Sequence, residues 1–287
     1  MAKKSGSIMF KCSNCGYTQP RWLGRCPDCG EWNSLEEIII DKNAVSPAGK
    51  GSEQAIKQKP VNLNTIKAQG NSRISTGIEE FDRVLGGGAT KRSAILLGGD
   101  PGIGKSTLLL QTLSSISNQT PSTLLYISGE ESAAQIKERA DRLGLKTDGI
   151  QILCTNRLED SLDAMDALKP SFIIIDSIQT IYSAEVGIIP GTVNQLKYCA
   201  NEFISWVKER DSVLIMTAHV TKEGSIAGPK SLEHMVDTVI SFERNADDIR
   251  FLHAQKNRFG SVDEIGIFSM TEKCLIPVQD PSSLFLT

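Results

Sequence analysis

An α/β fold with a mainly parallel sheet flanked by helices, preceded by a small four-cysteine module, is the architecture this 287-residue sequence predicts. Three observations carry the prediction. From residue 72 onward, continuous apolar runs alternate with segments whose apolar residues recur at helical spacing, as in a parallel sheet covered on both faces. One of those runs, Ala94–Leu97, leads into Gly99-Asp100-Pro101-Gly102-Ile103-Gly104-Lys105-Ser106, which fits G-x-x-x-x-G-K-[ST] at every required position. Ahead of the alternating region stand Cys12-x2-Cys15 and Cys26-x2-Cys29, two pairs ten residues apart.

The cysteine module comes first in the chain. Each C-x-x-C bends back so that two thiolates take adjacent corners of one tetrahedron, and Gly16 and Gly30 suit the turns that aim backbone N–H groups at sulfur. Without an export signal a disulfide reading is weak, and two pairs with no βαβ pattern around them do not suit a redox centre. Cys12, Cys15, Cys26 and Cys29 therefore read as ligands of a structural Zn²⁺, closed to catalysis because four protein ligands leave no open position. Trp22 and Trp32 are expected to form the miniature core of so small a module. The other reading is a surface of Arg and Trp, with Arg21 and Arg25, that stacks on nucleic acid or docks a partner. Leu35–Ile40 is expected as the last strand. Cys154, Cys199 and Cys274 are dispersed and apolar-flanked, and read as buried small hydrophobes.

Residues 41–62 are rich in Lys, Gln, Ser and Gly and carry Pro47 and Pro60, which predicts a flexible linker between a module at 1–40 and a domain at 63–287. In that domain the strand at 94–97 precedes a helix at 107–113. A strand at 123–128 then precedes a helix at 131–143, with Ala133, Ile136, Ala140 and Leu143 on one face. Ile150–Leu153 is a short strand, and Leu158, Leu162, Met165 and Leu168 mark a helix that Pro170 ends. Phe172–Ile175 is a β-branched central strand, 192–210 a long amphipathic helix, and Val213–Thr217 a further strand. Val236–Phe242, Ile249–Gln255 and Glu264–Met270 follow with short connections and read as an antiparallel extension.

Bulk properties bound the answer. A hydrophobic share of 40% and a charged share of 23% are those of a soluble globular protein, and no run approaches the roughly 18 apolar residues of a membrane span. The basic start has no apolar stretch behind it, so no signal peptide is expected and a reducing, cytoplasmic setting follows. The net charge of −3 hides an asymmetry: residues 1–70 hold ten Lys/Arg against six Asp/Glu, and the rest hold 21 against 28. Charge alone leaves nucleic acid open.

The glycine-rich turn carries the sharpest chemistry. Residues Gly99 to Thr107 sit between a strand and a helix, where glycines let backbone N–H groups converge on phosphates and the helix adds a positive end. Lys105 would reach the β- and γ-phosphates of a nucleoside triphosphate such as ATP, and Ser106 would hold Mg²⁺. Asp176, ending a buried strand, accepts from Mg²⁺-bound water or from Ser106. Glu130 in Ser128-Gly129-Glu130-Glu131-Ser132 is placed to polarise an attacking water, while the same acids suit a helix start, with Glu131 as the cap. His219, at a strand end, suits sensing of the γ-phosphate, or serves only structure. The loops at 183–192 and 221–231, the second with Lys222 and Lys230, lie where ligands bind in open parallel sheets, and equally suit solvated connectors.

Taken together these residues resemble the RadA (Sms) family of bacterial DNA-repair proteins. The match runs from the four cysteines through 75–88 (STGIEEFDRVLGGG) and the glycine-rich turn to Tyr126–Ser132, Thr217–Lys222 and Lys256-Asn257-Arg258-Phe259-Gly260. The last pentapeptide is the most specific mark. The glycine-rich turn and Thr-Gly-Ile-Glu-Glu are shared with other RecA-like ATPases, including KaiC-type proteins. The resemblance implies a RecA-like P-loop core in a hexameric ring that hydrolyses ATP, binds single-stranded DNA and branched recombination intermediates, and promotes branch migration, with RecA recombinase as a partner. By position it implies Glu130 as catalytic acid, His219 as γ-phosphate switch, and Lys256 and Arg258 as basic fingers reaching a neighbour's γ-phosphate. By themselves, residues 256–258 read as a charged turn. The loops at 183–192 and 221–231 correspond to DNA-facing loops. The family continues into a Lon-protease-like domain that this chain stops short of. The competing expectation is a KaiC-like nucleotide-gated switch that binds a protein partner without coupling to DNA.

Overall fold

The computed structural model describes residues 7–13, 18–19, 21–27, 31–40, 62–65, 72–119, 121–187, 189–219, 231–245, 248–271 and 274–278. The chain divides into two compact units, Met1–Gly70 and Asn71–Thr287.

In the first unit β1 (Ser7–Cys12) pairs antiparallel with β2 (Thr18–Gln19) and with β3 (Leu35–Ile40). Cys12 and Cys26 are buried with Leu35, and Phe10 packs against them. Among the described residues this core has little apolar area to exclude from water. Trp22 and Trp32 do not enlarge it, against the expectation: they are 54% and 68% exposed, and the Arg25 guanidinium lies 5.8 Å from the Trp32 ring centre. An isolated antiparallel bridge joins Arg25 and Trp32. Cys15 and Cys29 lie outside the described residues, as do 41–61 of the linker.

The second unit is built on a nine-stranded sheet among the described residues. Its strands, in chain order, are β6 (Ser93–Gly99), β7 (Leu124–Ser128), β8 (Ile150–Cys154), β9 (Phe172–Asp176), β10 (Val213–His219), β11 (Thr238–Arg244), β12 (Ile249–Asn257), β13 (Ile265–Met270) and β14 (Leu275–Pro277). A separate short pair, β4 (Arg73–Ile74) and β5 (Ala89–Thr90), precedes them. The spatial order is β14-β13-β12-β11-β6-β10-β9-β7-β8, parallel from β11 through β8 and antiparallel from β11 through β14. The extension therefore begins one strand later than expected: β11 pairs parallel with β6 and is the last strand of the parallel core. An apolar run of that length carries no sign of its direction.

Helices α1 (Glu79–Val84), α2 (Lys105–Gln119) and α3 (Ala133–Arg142) cover one face, while α4 (Leu158–Leu168), α5 (Val193–Lys208) and α6 (Ser231–Met235) cover the other. Side chains alternate across the strands, so Ile95, Leu97, Phe172 and Ile174 join the first layer and Ala94, Leu96, Ile173 and Ile175 the second. Burial on both sides is why these strands read as unbroken apolar runs. Among the dispersed cysteines only Cys199 is buried. Cys154 is exposed and Cys274 half-buried, a correction that follows from their places at strand ends rather than strand centres. No described helix is long and apolar enough to cross a membrane.

Candidate nucleotide site

Parallel register brings the C-terminal ends of four strands to one edge: Gly99 lies beside His219, and Ser128 beside Asp176. A cleft of about 350 Å³ opens there, lined by Gly102, Lys105, Ser106, Glu130, Asp176 and His219 among others. This is the edge at which open parallel sheets bind ligands.

The turn from Gly99 to Gly104 is shaped by close approach. A Cβ on Gly99 would sit 2.6 Å from Phe242 O, and one on Gly104, at φ +115°, would sit 2.7 Å from Leu275 Cδ1. Arg250, itself buried, donates from Nε to Ile103 O at 2.8 Å and fastens the turn to β12. The turn delivers the chain into α2, whose N-terminus faces the cleft with its partial positive charge.

Lys105 is buried and donates to Gly99 O at 2.6 Å and Asp100 O at 2.9 Å. Burial lowers its pKa, opposed by the charges of Asp176, Glu130 and Asp100. Asp176 accepts three hydroxyls: Ser106 Oγ at 2.6 Å and Tyr126 OH at 2.5 Å on Oδ2, and Thr217 Oγ1 at 2.6 Å on Oδ1. The Tyr126 phenol titrates well above the ordinary value, through burial first and the Asp176 charge and hydrogen bond next.

Glu130 stands across from Lys105. Its Oε1 accepts from Ser177 Oγ at 2.6 Å and lies 3.4 Å from His219 Nε2. The His219 main-chain N–H donates to Gln179 Oε1 at 3.0 Å, and its Nδ1 is buried without a hydrogen-bond partner among the described residues. Glu131 is not the helix cap. Ser132 is, accepting from Gln135 N in a capping box, and Glu131 instead makes a bidentate pair with Arg139.

The structure thus brings Lys105, Ser106, Asp176, Glu130 and His219 together, with Gly99–Thr107 beneath them. It does not bring Lys256 and Arg258 to the same cleft. They lie at the end of β12 and the turn after it, and Asn257 is in register with Thr238, itself opposite Ile95 at the far end of β6 from the turn. Asp237 bonds there to Ala94, five residues from Gly99, which is about 16 Å along a strand. Residues 221–230, with Lys222 and Lys230, lie outside the described residues, and 183–187 and 189–192 join β9 to α5. Tyr126, Thr217, Ser177, Arg250 and Asp237 escaped the sequence reading. Ser177 and Thr217 at least adjoin strand ends, where their buried hydroxyls reach the acids that line the cleft.

The donor set suits a magnesium-bound nucleoside triphosphate: a buried ammonium and a helix N-terminus for phosphate oxygens, and a hydroxyl–carboxylate pair for a hard cation. In the first unit, Cys12 and Cys26 are buried together at 1% and 2% exposure, as two thiolates of one metal centre require.

Comparison with known proteins agrees with these arrangements. The rubredoxin metal binding domain family matches residues 10–37, and the KaiC ATPase family matches residues 74–152. The DNA repair protein RadA of Treponema pallidum is 58% identical over 100% of this chain and 62% of its own length. Those of Bacillus subtilis and Pseudomonas aeruginosa are 46% and 43% identical over 96% and 97% of this chain, and 61% of their own lengths. The chain spans about three fifths of these relatives. A KaiC-like protein from Pyrococcus horikoshii superposes with a TM-score of 0.61 at 18% identity, over 72% of this chain and 99% of its own, and shows the same RecA-like fold. The similarity to the RadA family that the motifs carry thus holds across the whole chain.

Proposed function

We propose that this chain is the ATP-hydrolysing, DNA-coupled part of a DNA-repair motor. The observation that carries the reading is the convergence of Lys105, Ser106, Asp176, Glu130 and His219 on one cleft at the C-terminal edge of a parallel sheet. Bound Mg²⁺ and ATP would supply the reactive phosphate and its charge neutralisation. Lys105 and the α2 N-terminus would hold phosphate oxygens, and Ser106 with Asp176 would hold the cation. Glu130 takes a proton from the attacking water, with Ser177 and His219 fixing the orientation of its carboxylate. His219, ending β10, leads into residues 221–230 and so joins the cleft to a segment that the resemblance gives to DNA.

Lys256 and Arg258, too far from their own cleft to serve it, act on a neighbour's nucleotide in a ring, with the hexamer as its form. In this reading the motor works on single-stranded DNA and branched intermediates, drives branch migration alongside RecA recombinase, and operates in the cytoplasm. Zn²⁺ on Cys12, Cys15, Cys26 and Cys29 holds the module at 1–40, tethered by 41–62 to the ATPase domain at 63–287. Support comes from the RadA relatives, whose printed names are those of DNA repair proteins.

Steady-state ATP hydrolysis by the chain and by Lys105→Ala tests the site. Magnesium-dependent turnover that is lost in the variant is expected. An unchanged rate in Lys105→Ala would overturn the assignment.

A further inference from the structure

Asp237 lies two residues beyond α6, next to the start of β11, with its side chain 2% exposed. Its main-chain N–H donates to Ala94 O at 2.9 Å, and its carbonyl accepts from Arg258 N at 3.1 Å. Its carboxylate accepts from Ala94 N at 3.0 Å and from Lys208 Nζ at 2.6 and 2.7 Å. Arg258 Nη1 is 3.4 Å from Oδ1. One buried acid is therefore shared by two cations from separate elements, α5 and the turn after β12, at the sheet edge away from the nucleotide cleft.

A buried carboxylate is a costly way to join a sheet to a helix, because desolvation opposes it and an apolar pair of the same size would serve stability as well. What an apolar pair would not do is aim a guanidinium. Neighbouring contacts aim the rest of the turn. Lys256 Nζ donates to Glu233 O and Val236 O, both at 2.7 Å, at the end of α6. Arg73 donates to Phe259 O at 2.7 Å, and Asn257 Oδ1 accepts from Phe259 N at 3.0 Å. Both cations of the pentapeptide are thus held by residues 233–237, the stretch that follows 221–230 along the chain. Burial first, and the nearby Arg258 charge next, lower the Lys256 pKa, opposed by Asp237 and Glu233.

We infer that Asp237 is a positioning residue: with the end of α6, it holds Arg258 and Lys256 in the arrangement that the turn presents to an adjoining copy of the chain. The inference rests on the proposed action of Lys256 and Arg258 on a neighbour's nucleotide.

Subunit mixing tests it. Asp237→Asn keeps an acceptor for Ala94 N and loses the charge. Alone it should bind nucleotide like the wild type and hydrolyse ATP on the order of tenfold more slowly, the scale of one lost charge-assisted hydrogen bond. Mixed with Glu130→Gln subunits, which have an intact turn and a disabled cleft, it should recover activity as Lys256→Ala subunits do. Lys208→Met leaves the Asp237–Arg258 pair in place, so its hydrolysis per folded molecule should stay within about twofold of wild type even though unpairing one side of a buried carboxylate lowers stability. Recovery of Lys256→Ala without recovery of Asp237→Asn would overturn the role of Asp237 alone. So would a Lys208→Met defect equal to that of Asp237→Asn, which would make Asp237 a staple for α5. Failure of Lys256→Ala itself to recover would overturn the neighbour-acting reading, and this inference with it.

Discussion

Replacing Tyr126 by Phe removes one atom from the fully buried centre of the site and changes little else. The phenol donates to Asp176 Oδ2 at 2.5 Å, and the ring is 0% exposed. Asp176 keeps Ser106 and Thr217 as donors, so the loss is that of one hydrogen bond to a charged group, at its lower end about 1.5 kcal/mol. For a unit of this size that corresponds to a fall in unfolding temperature of about 3–6 °C. The same bond has a pH signature. Because the folded state raises the Tyr126 pKa above its unfolded value of about 10, the stabilisation is complete below that pH. Above it the unfolded chain loses its proton while the folded one keeps it, so stability falls by up to about 1.4 kcal/mol per pH unit until the folded pKa is reached. Denaturant unfolding followed by far-UV circular dichroism, on wild type and Tyr126→Phe at pH 8 to 11, reads both effects. The gap between the two proteins should narrow above pH about 10. A variant as stable as the wild type at pH 8, or a gap that does not change with pH, would refute the reasoning.

Three further outcomes are expected. Glu130→Gln should lower kcat by about 10²–10⁴-fold while leaving nucleotide affinity near wild type, measured by single-turnover hydrolysis and by equilibrium binding; a parallel loss of affinity would place Glu130 in binding instead. Gly104→Ala forces a Cβ at φ +115° against Leu275 Cδ1 (2.7 Å) and Met270 Cε (2.8 Å), and should lower stability by about 1–3 kcal/mol in denaturant melts; an unperturbed melt would contradict the tightness of the turn. Chelation of Zn²⁺ should unfold the first unit, whose described core is little more than Cys12, Cys26, Leu35 and Phe10, and spare nucleotide binding by the second; simultaneous loss of both would contradict a tethered module.

Much of the parallel core was legible because both its faces are buried. The run Phe172–Ile175 has no polar gap, and the observed strand adds only Asp176, the residue that closes on Ser106. The glycine-rich turn was equally plain, since Gly99 and Gly104 are demanded by contacts as close as 2.6 Å. Other features depend on partners distant in sequence. Tyr126 reads as one more apolar strand residue until Asp176, 50 positions away, meets its hydroxyl. Asp237 reads as a loop acid until Ala94, 143 positions away, binds its carboxylate. The exposed Trp22 and Trp32 defeat an argument from composition: among the described residues the module's core is made of Cys12, Cys26, Leu35 and Phe10, and neither indole joins it. The role of Glu131 was a local misreading: Ser132 and Gln135 form an S-x-x-Q box that was there to be seen.

The most direct test of the account is steady-state ATP hydrolysis by this chain at low salt, with and without single-stranded DNA. The account predicts a Lys105-dependent rate that rises on adding DNA, and a rise that disappears when Lys256 is replaced by Ala. A rate indifferent to DNA, from protein that still assembles when nucleotide is added, would contradict it and leave a nucleotide-gated switch.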